Sequence, residues 1–231
     1  MTKRKAVRAK PARRAADAGL SLTERAYTQL EEMIVRLELP PGSAVSESAL
    51  ALRLGIGRTP IREALQRLAR ERLVNILPRR GIIVSEINIK SQLRLLEVRR
   101  EVERLVAKSA ARRATPEERE GFVGLALRFE KCARTNDDVG FMRVDREFHD
   151  LLVLTAHNEF AVSAMSLMHS LSRRFWYIHY KEAADMPLTA KLHADIARGI
   201  AAGSEAAAGK AMDKLIDTVI KFTRDTVTTG L

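Results

Sequence analysis

A tight turn between two short helical patterns is the feature of this sequence that most restricts its fold. Ser46 can cap a short helix rich in leucine, and the glycines of residues 55–57 end that helix. Another helix follows at once, with Thr59 as its predicted N-cap and Pro60 in its first position. Because two helices this short cannot enclose a core alone, the pattern requires neighbouring elements that share their apolar faces.

The flanking segments supply those elements. Ser21 and Glu24 have the spacing of a capping box, and the helix that they begin is predicted to end near Leu39, before two prolines. Two β-like runs, residues 73–77 and 82–87, are separated by a basic turn and read as a hairpin. Three helices followed by a hairpin are the pattern of a winged helix-turn-helix, which we place at residues 21–87.

The second half of the chain carries only helical patterns. Apolar residues recur at helical spacing over residues 89–114, 116–134, 138–156, 159–183, 188–202 and 204–228. The predicted fold class is therefore mainly α, with a helical bundle at residues 88–231 that binds an effector and forms the dimer. The lone cysteine, Cys132, lies on an apolar helical face, where we expect a small buried side chain.

Positive charge is concentrated at the N-terminus of the chain. The formal net charge is +11, and residues 1–20 carry seven Lys or Arg against the single acid Asp17. We expect this segment to be a disordered basic arm, which either aids solubility or adds salt-sensitive attraction to nucleic acid. No stretch has the apolar length of a secretory signal or a membrane span, so a cytoplasmic protein without membrane contact is expected.

The predicted recognition helix presents a polar face. Its leucines would pack inward, leaving outward-facing side chains and a basic wing tip to contact double-stranded DNA. The predicted contact residues are Arg58, Thr59, Arg62 and Gln66 on the helix, with Arg79 and Arg80 on the wing. Arginine can hold a guanine edge or a phosphate.

The segment LALRLGIGRTPIREALQRLARERLVNILPRRGIIVSEI resembles the DNA-binding domain of the GntR family of regulators, and the similarity covers roughly residues 20–87. The resemblance implies DNA contacts from Arg58, Thr59 and Arg62, and from Arg80 and Gly81 in the wing. One departure is Gly57, where the family usually has Ser or Thr. That change removes a side-chain contact to phosphate and leaves the backbone N–H.

The C-terminal half is similar to the FCD type of helical ligand domain, through LLEVRREVERLVA, DREFHDLL and the segment from His193 to Met212. That resemblance implies a divalent metal ion, zinc or a similar ion, held by Asp145, His149 and His193. The family pattern places a further histidine where this chain has Leu215. Two interpretations remain: three ligands with water or effector completing the shell, or a metal-free pocket whose histidines bind an anionic effector directly.

Two arginines are further candidates for binding a small carboxylate effector. Arg99 matches a family arginine, but it also has Glu103 four residues later, which would make a surface ion pair. Arg174 lies in the aromatic segment HSLSRRFWYIHY, which lines either a pocket or a core or dimer interface.

Together these features predict a homodimeric transcription regulator, a repressor by default, that binds a pseudo-palindromic operator and responds to a small organic acid. A metal-dependent hydrolase or lyase in the helical half, using His149 as base, is one alternative, but the sequence shows no nucleophile with its base, no Gly-rich phosphate loop and no second metal cluster. A basic protein that binds nucleic acid without sequence preference is another. We therefore predict that the chain is not an enzyme and has no catalytic residues.

Overall fold

The computed structural model describes residues 19–79, 81–183 and 185–228, which fall into two compact units divided between Ser85 and Glu86. The predicted basic arm lies outside the described residues except for Gly19 and Leu20. The division falls close to the predicted domain boundary at residues 87 and 88, which stays a prediction.

The N-terminal unit combines three helices with a small antiparallel sheet among its described residues. The elements are α1 (Leu22–Val35), β1 (Ala44–Val45), α2 (Glu47–Leu54), α3 (Arg58–Arg70), β2 (Val74–Leu77) and β3 (Gly81–Val84). The strand order is β1-β3-β2, so the two-residue strand β1, which the sequence pattern missed, extends the predicted hairpin. This is the predicted winged helix-turn-helix.

Two predicted helix starts are confirmed by their caps. Ser21 and Glu24 form the reciprocal bonds of a capping box at the start of α1. The Ser46 hydroxyl accepts a hydrogen bond from the backbone N–H of Ala49 at the start of α2. Gly55 ends α2 in the left-handed conformation, with φ of 65°, which glycine adopts without strain.

The predicted end of the first helix near Leu39 is wrong. Helix α1 ends at Val35, since Leu37 has a φ of 60° and turns the chain away from the helix axis. The backbone N–H of Leu39 then donates to the carbonyl of Met33, which closes the end of the helix.

The predicted start of the recognition helix is also shifted. Gly57, rather than Thr59, is the N-cap of α3, and its carbonyl accepts the first helical hydrogen bond, from the N–H of Ile61. Pro60 is therefore third in the helix, where its missing N–H still leaves no hydrogen bond unmade. No side chain caps this helix, because glycine has none to offer.

The C-terminal unit is a bundle of helices. They are α4 (Ile89–Arg113), α5 (Pro116–Thr135), α6 (Asp138–Thr155), α7 (Glu159–Ser166), α8 (His169–Ala183), α9 (Met186–Ala201) and α10 (Glu205–Thr228). The sequence predicted one helix over residues 159–183, and this was wrong because the chain turns at residues 167–168. No Gly or Pro marks that break, so the sequence pattern did not show it. Helix α9 starts two residues before its predicted start, because Asp185 caps it by accepting from the N–H of Leu188.

Aromatic rings fill the centre of the bundle. Phe122, Phe129 and Phe148 are fully buried, and the Phe129 and Phe148 rings meet edge to face with centroids 5.7 Å apart. Cys132 is buried at the edge of this core, as predicted. In the described part of the chain, no helix is both long and apolar enough to cross a membrane.

Candidate functional site

Helix α3 has one buried face and one exposed face. Ile61, Leu65 and Leu68 are at most 1 % exposed and hold the helix to the N-terminal unit. The predicted DNA-contacting side chains of this helix all lie on the opposite, exposed side, namely Arg58, Thr59, Arg62 and Gln66. The arrangement leaves the first turns of α3 open to a large partner.

Arg62 is held by an acidic residue of the preceding helix. Its Nε lies 2.9 Å from Oε1 of Glu47 and its Nη2 lies 2.8 Å from Oε2, which is a two-pronged pair. Hydrogen bonding from Arg62 lowers the pKa of the Glu47 carboxyl. The Arg62 side chain nevertheless remains 56 % exposed, so the pair orients the guanidinium without burying it.

The tip of the hairpin carries the predicted wing residues. Arg79 and Gly81 are both exposed, and both have positive φ, of 61° and 92°. A Cβ added to Gly81 would meet no atom within 4 Å, so only the backbone conformation requires glycine there. Arg80 lies outside the described residues.

The C-terminal unit contains a cavity that is lined by charged, polar and aromatic residues of five helices. Each helix contributes residues from one face. The lining residues are Arg99 of α4; Phe141, Met142, Asp145 and His149 of α6; His169, Ser172, Arg173 and Trp176 of α8; Thr189 and His193 of α9; and Leu215 and Val219 of α10.

The structure brings the three predicted metal ligands together at this cavity. Oδ1 of Asp145 lies 3.6 Å from Nε2 of His149 and 3.2 Å from Nε2 of His193. All three residues are buried. Although burial alone would disfavour the charged carboxylate, the His149 and His193 imidazoles hold the pKa of Asp145 well below its usual range. Asp145 is thus a buried anion that needs positive charge or hydrogen-bond donors beside it.

The orientation of His193 is fixed by its backbone. Its Nδ1 lies 2.8 Å from the carbonyl oxygen of Thr189, and because a carbonyl can only accept, Nδ1 carries the hydrogen. Nε2 is then the nitrogen that faces Asp145. This is the arrangement by which proteins orient metal-binding histidines.

The sequence interpretation missed His169 and Arg173, which also line the cavity. Nε of Arg173 lies 3.9 Å from Oδ2 of Asp145. The His169 and His149 rings lie with their centroids 3.8 Å apart. The helical spacing of residues 169, 172, 173 and 176 could have indicated them, because these residues share one face of α8 and all line the cavity.

The predicted ion pair between Arg99 and Glu103 is present, with Nη2 of Arg99 2.5 Å from Oε1 of Glu103. The prediction of a surface pair is wrong, because Arg99 and Glu103 are only 6 % and 0 % exposed. Their burial follows from the packing of α4 into the bundle, and Arg99 lines the cavity as well.

Arg174 does not lie in the cavity lining, where it was predicted. It is buried, its Nη2 donates to the backbone carbonyl of Glu86 at 3.3 Å, and burial lowers its pKa to about 10. Among the described residues that line the cavity, its neighbour Arg173 appears and Arg174 does not.

A winged helix-turn-helix with an exposed basic helix, followed by a helical bundle around a polar cavity, defines a class of two-domain DNA-binding regulators. The chain belongs to the GntR family: residues 22–84 match the model "Bacterial regulatory proteins, gntR family" and residues 94–218 match the FCD domain. It is therefore a DNA-binding transcription regulator and not an enzyme.

Known proteins agree with this assignment. An uncharacterized HTH-type transcriptional regulator of Streptomyces ambofaciens is 47 % identical over 62 residues, which cover 27 % of this chain and 26 % of that protein. The HTH-type transcriptional repressor RspR of Escherichia coli is 26 % identical over 76 % of this chain and 77 % of its own length. The solved structure of McbR/YncC of E. coli shares the fold, with a TM-score of 0.77 and 18 % identity over 90 % of this chain and 99 % of that chain.

Proposed function

We propose that the chain is a cytoplasmic, homodimeric repressor that binds a pseudo-palindromic operator and is controlled by a small organic acid in its C-terminal cavity. The observation that carries the DNA-binding part is the two-sided helix α3, whose leucines are buried while its arginines are exposed. Repression is proposed from similarity to RspR and from the family.

In this proposal α3 enters the major groove from its N-terminal end. Arg58 and Arg62 lie one turn apart, where each guanidinium can hold a guanine edge or a phosphate. Thr59 and Gln66 contact the same groove, and the free backbone N–H groups of the first turn attract a phosphate. Arg79, Arg80 and Gly81 of the wing contact the backbone or the minor groove.

The cavity suits an anionic effector. Arg173 and Arg99 both line it and supply donors for a carboxylate, while Phe141 and Trp176 supply apolar contact. Arg174 remains a predicted effector contact that the cavity lining does not support.

The polar cluster also fits a divalent metal ion. Buried imidazoles beside one buried carboxylate are the donor set that zinc and similar ions prefer, and Nδ1 of His149 has no hydrogen-bond partner in the protein. Asp145, His149 and His193 would hold the ion. When bound, the ion would supply a coordination position for an effector carboxylate oxygen.

The DNA part is tested with Arg62→Ala and a matched control. An operator is first selected from random duplexes with the wild-type protein, and affinities for this operator and for random DNA are then compared. Arg62→Ala should cost about 1 to 3 kcal/mol on the selected site and less on random DNA. Arg70→Ala, at the opposite end of the same helix and also exposed, should cost little on either DNA. An equal loss on both DNAs would reduce Arg62 to a phosphate contact, and failure to select any preferred duplex would contradict the proposal.

The effector part is tested by a thermal-shift screen of small carboxylic acids, since a ligand that binds only the folded protein raises its melting temperature. An acid that controls the regulator binds the DNA-bound and DNA-free protein with different affinities, so it should also change operator affinity. A stabilising acid without any effect on operator binding would contradict control by that acid.

A further inference from the structure

The start of helix α8 places a further imidazole beside the predicted metal site. His169 is the first residue of that helix, and its side chain lines the cavity beside Asp145 and His149. One ligand atom from each of these three residues lies within 4.8 Å of the other two. Leu215, at the position of the absent family histidine, lines the same cavity from α10.

Two nitrogen atoms of this cluster have no hydrogen-bond partner. Nδ1 of His149 and Nε2 of His169 are buried, and neither has a hydrogen-bond partner in the protein. An unmade hydrogen bond at a buried nitrogen costs free energy, so native proteins usually supply a partner. A shared ligand between the two rings would satisfy both nitrogens.

The carboxylate of Asp145 lies close to two of the imidazoles. Its Oδ1 is 3.2 Å from Nε2 of His193 and 3.6 Å from Nε2 of His149. Nδ1 of His193 donates to the carbonyl of Thr189, so Nε2 is the nitrogen of this ring that faces the carboxylate. A divalent cation bound between these groups would be attracted by the buried carboxylate.

We propose that His169 is a metal ligand that takes the place of the imidazole missing at Leu215. Asp145, His149 and His193 together with His169 then bind one divalent transition-metal ion, with Zn²⁺ as the best match to three imidazoles and one carboxylate. This proposal rests on the metal site of the proposed function and adds a ligand to it: the third histidine comes from α8, whereas the family pattern has it on α10. To bind one ion together, these four side chains must turn toward a common point in the cavity.

The test is metal binding by the full-length, metal-stripped protein. Zn²⁺ is titrated by calorimetry, and Trp176, the only tryptophan, provides a fluorescence readout because it lines the same cavity. His169→Gln should weaken Zn²⁺ binding at least about 10-fold, the loss expected even for residues that only support a ligand. His179→Gln changes a histidine of the same helix that does not line the cavity, and it should bind Zn²⁺ like the wild type.

Two further measurements separate ligation from a structural effect. X-ray absorption at the zinc edge should count three imidazoles in the wild type and two in His169→Gln. Leu215→His introduced into His169→Gln should restore the affinity, because it returns an imidazole at the family position. Unchanged unfolding midpoints of the metal-free variants show that each one folds.

The outcomes of the Zn²⁺ titrations can be distinguished from those of the DNA-binding experiments. Equal Zn²⁺ affinity of the wild type and His169→Gln, with a loss in His149→Gln, would overturn the role of His169 alone. A wild-type protein that binds no Zn²⁺ would overturn the whole metal site. In either case the selected operator and the Arg62→Ala comparison still decide the DNA-binding part of the proposed function.

Discussion

The two units of this protein are built from different kinds of side chain. The N-terminal unit contains no Phe and no Trp, and its core consists of aliphatic residues such as Leu30, Ile61 and Leu65. All seven Phe and the Trp lie in the C-terminal unit, where Phe141 and Trp176 line the cavity. The charged groups of the two candidate sites also differ, since Arg58 and Arg62 of the N-terminal unit are exposed while the C-terminal unit buries Arg99, Asp145 and two histidines.

This difference shows where each unit can meet a partner. An exposed arginine keeps its hydration and needs no fixed partner, so it is available to a polyanion. A buried charge loses hydration and is stable only when it is paired or bound to a ligand. The C-terminal unit therefore keeps its binding groups inside a cavity that suits a small ligand, whereas the N-terminal unit keeps them on a surface.

The largest expected effect tests the aromatic core. Phe148→Ala should destabilise the C-terminal unit by about 3 to 5 kcal/mol, because it removes a fully buried ring and leaves a cavity. Trp176 fluorescence during denaturant unfolding reports this unit specifically, since the N-terminal unit has no tryptophan. Leu154→Ala, on the same helix but 65 % exposed, should change stability by less than about 0.5 kcal/mol. Similar losses for both variants would contradict a core centred on the aromatic rings.

A smaller effect tests the start of the recognition helix. Gly57 is an N-cap without a capping side chain, its φ of −58° is accessible to other residues, and a Cβ there would lie 3.8 Å from Cδ of Pro60. Gly57→Ser should therefore cap α3 and should stabilise the protein relative to Gly57→Ala by about 1 kcal/mol. Denaturant unfolding followed by far-UV circular dichroism compares the two. Equal stabilities would show that the serine hydroxyl does not reach the helix N–H groups.

The smallest effect tests the buried carboxyl group of Glu71 in the N-terminal unit. Burial raises the pKa of Glu71, while hydrogen bonds from Tyr27 and Arg67 partly offset that rise. A raised pKa means that the folded state holds the proton more tightly, so this contribution is present at pH below 4.5 and is lost as pH rises through the folded value. Glu71→Gln should remove that decline, seen as a smaller difference in unfolding free energy between acidic and neutral pH. The same decline in both proteins would assign it to other groups.

Local rules predicted much of this molecule. The capping box at Ser21, the Ser46 cap and the glycine turn depend on bonds within a few residues, and the structure confirms all three. The spacing of Asp145 and His149 likewise sets them on one helix face. The start of α3 was predicted two residues late, because Thr59 and Gly57 both suit an N-cap and only the folded backbone distinguishes them.

The sequence by itself determined the order of most of the elements, the exposed basic face of α3 and the pairing of acid and histidine on α6, because each follows from periodicity and capping along one segment. Tertiary structure decided that Arg99 and Glu103 are buried and that the chain breaks at residues 167–168, bringing His169 beside His149. The reason is physical: burial and contact between helices depend on how distant faces pack together, and no local spacing encodes those distances.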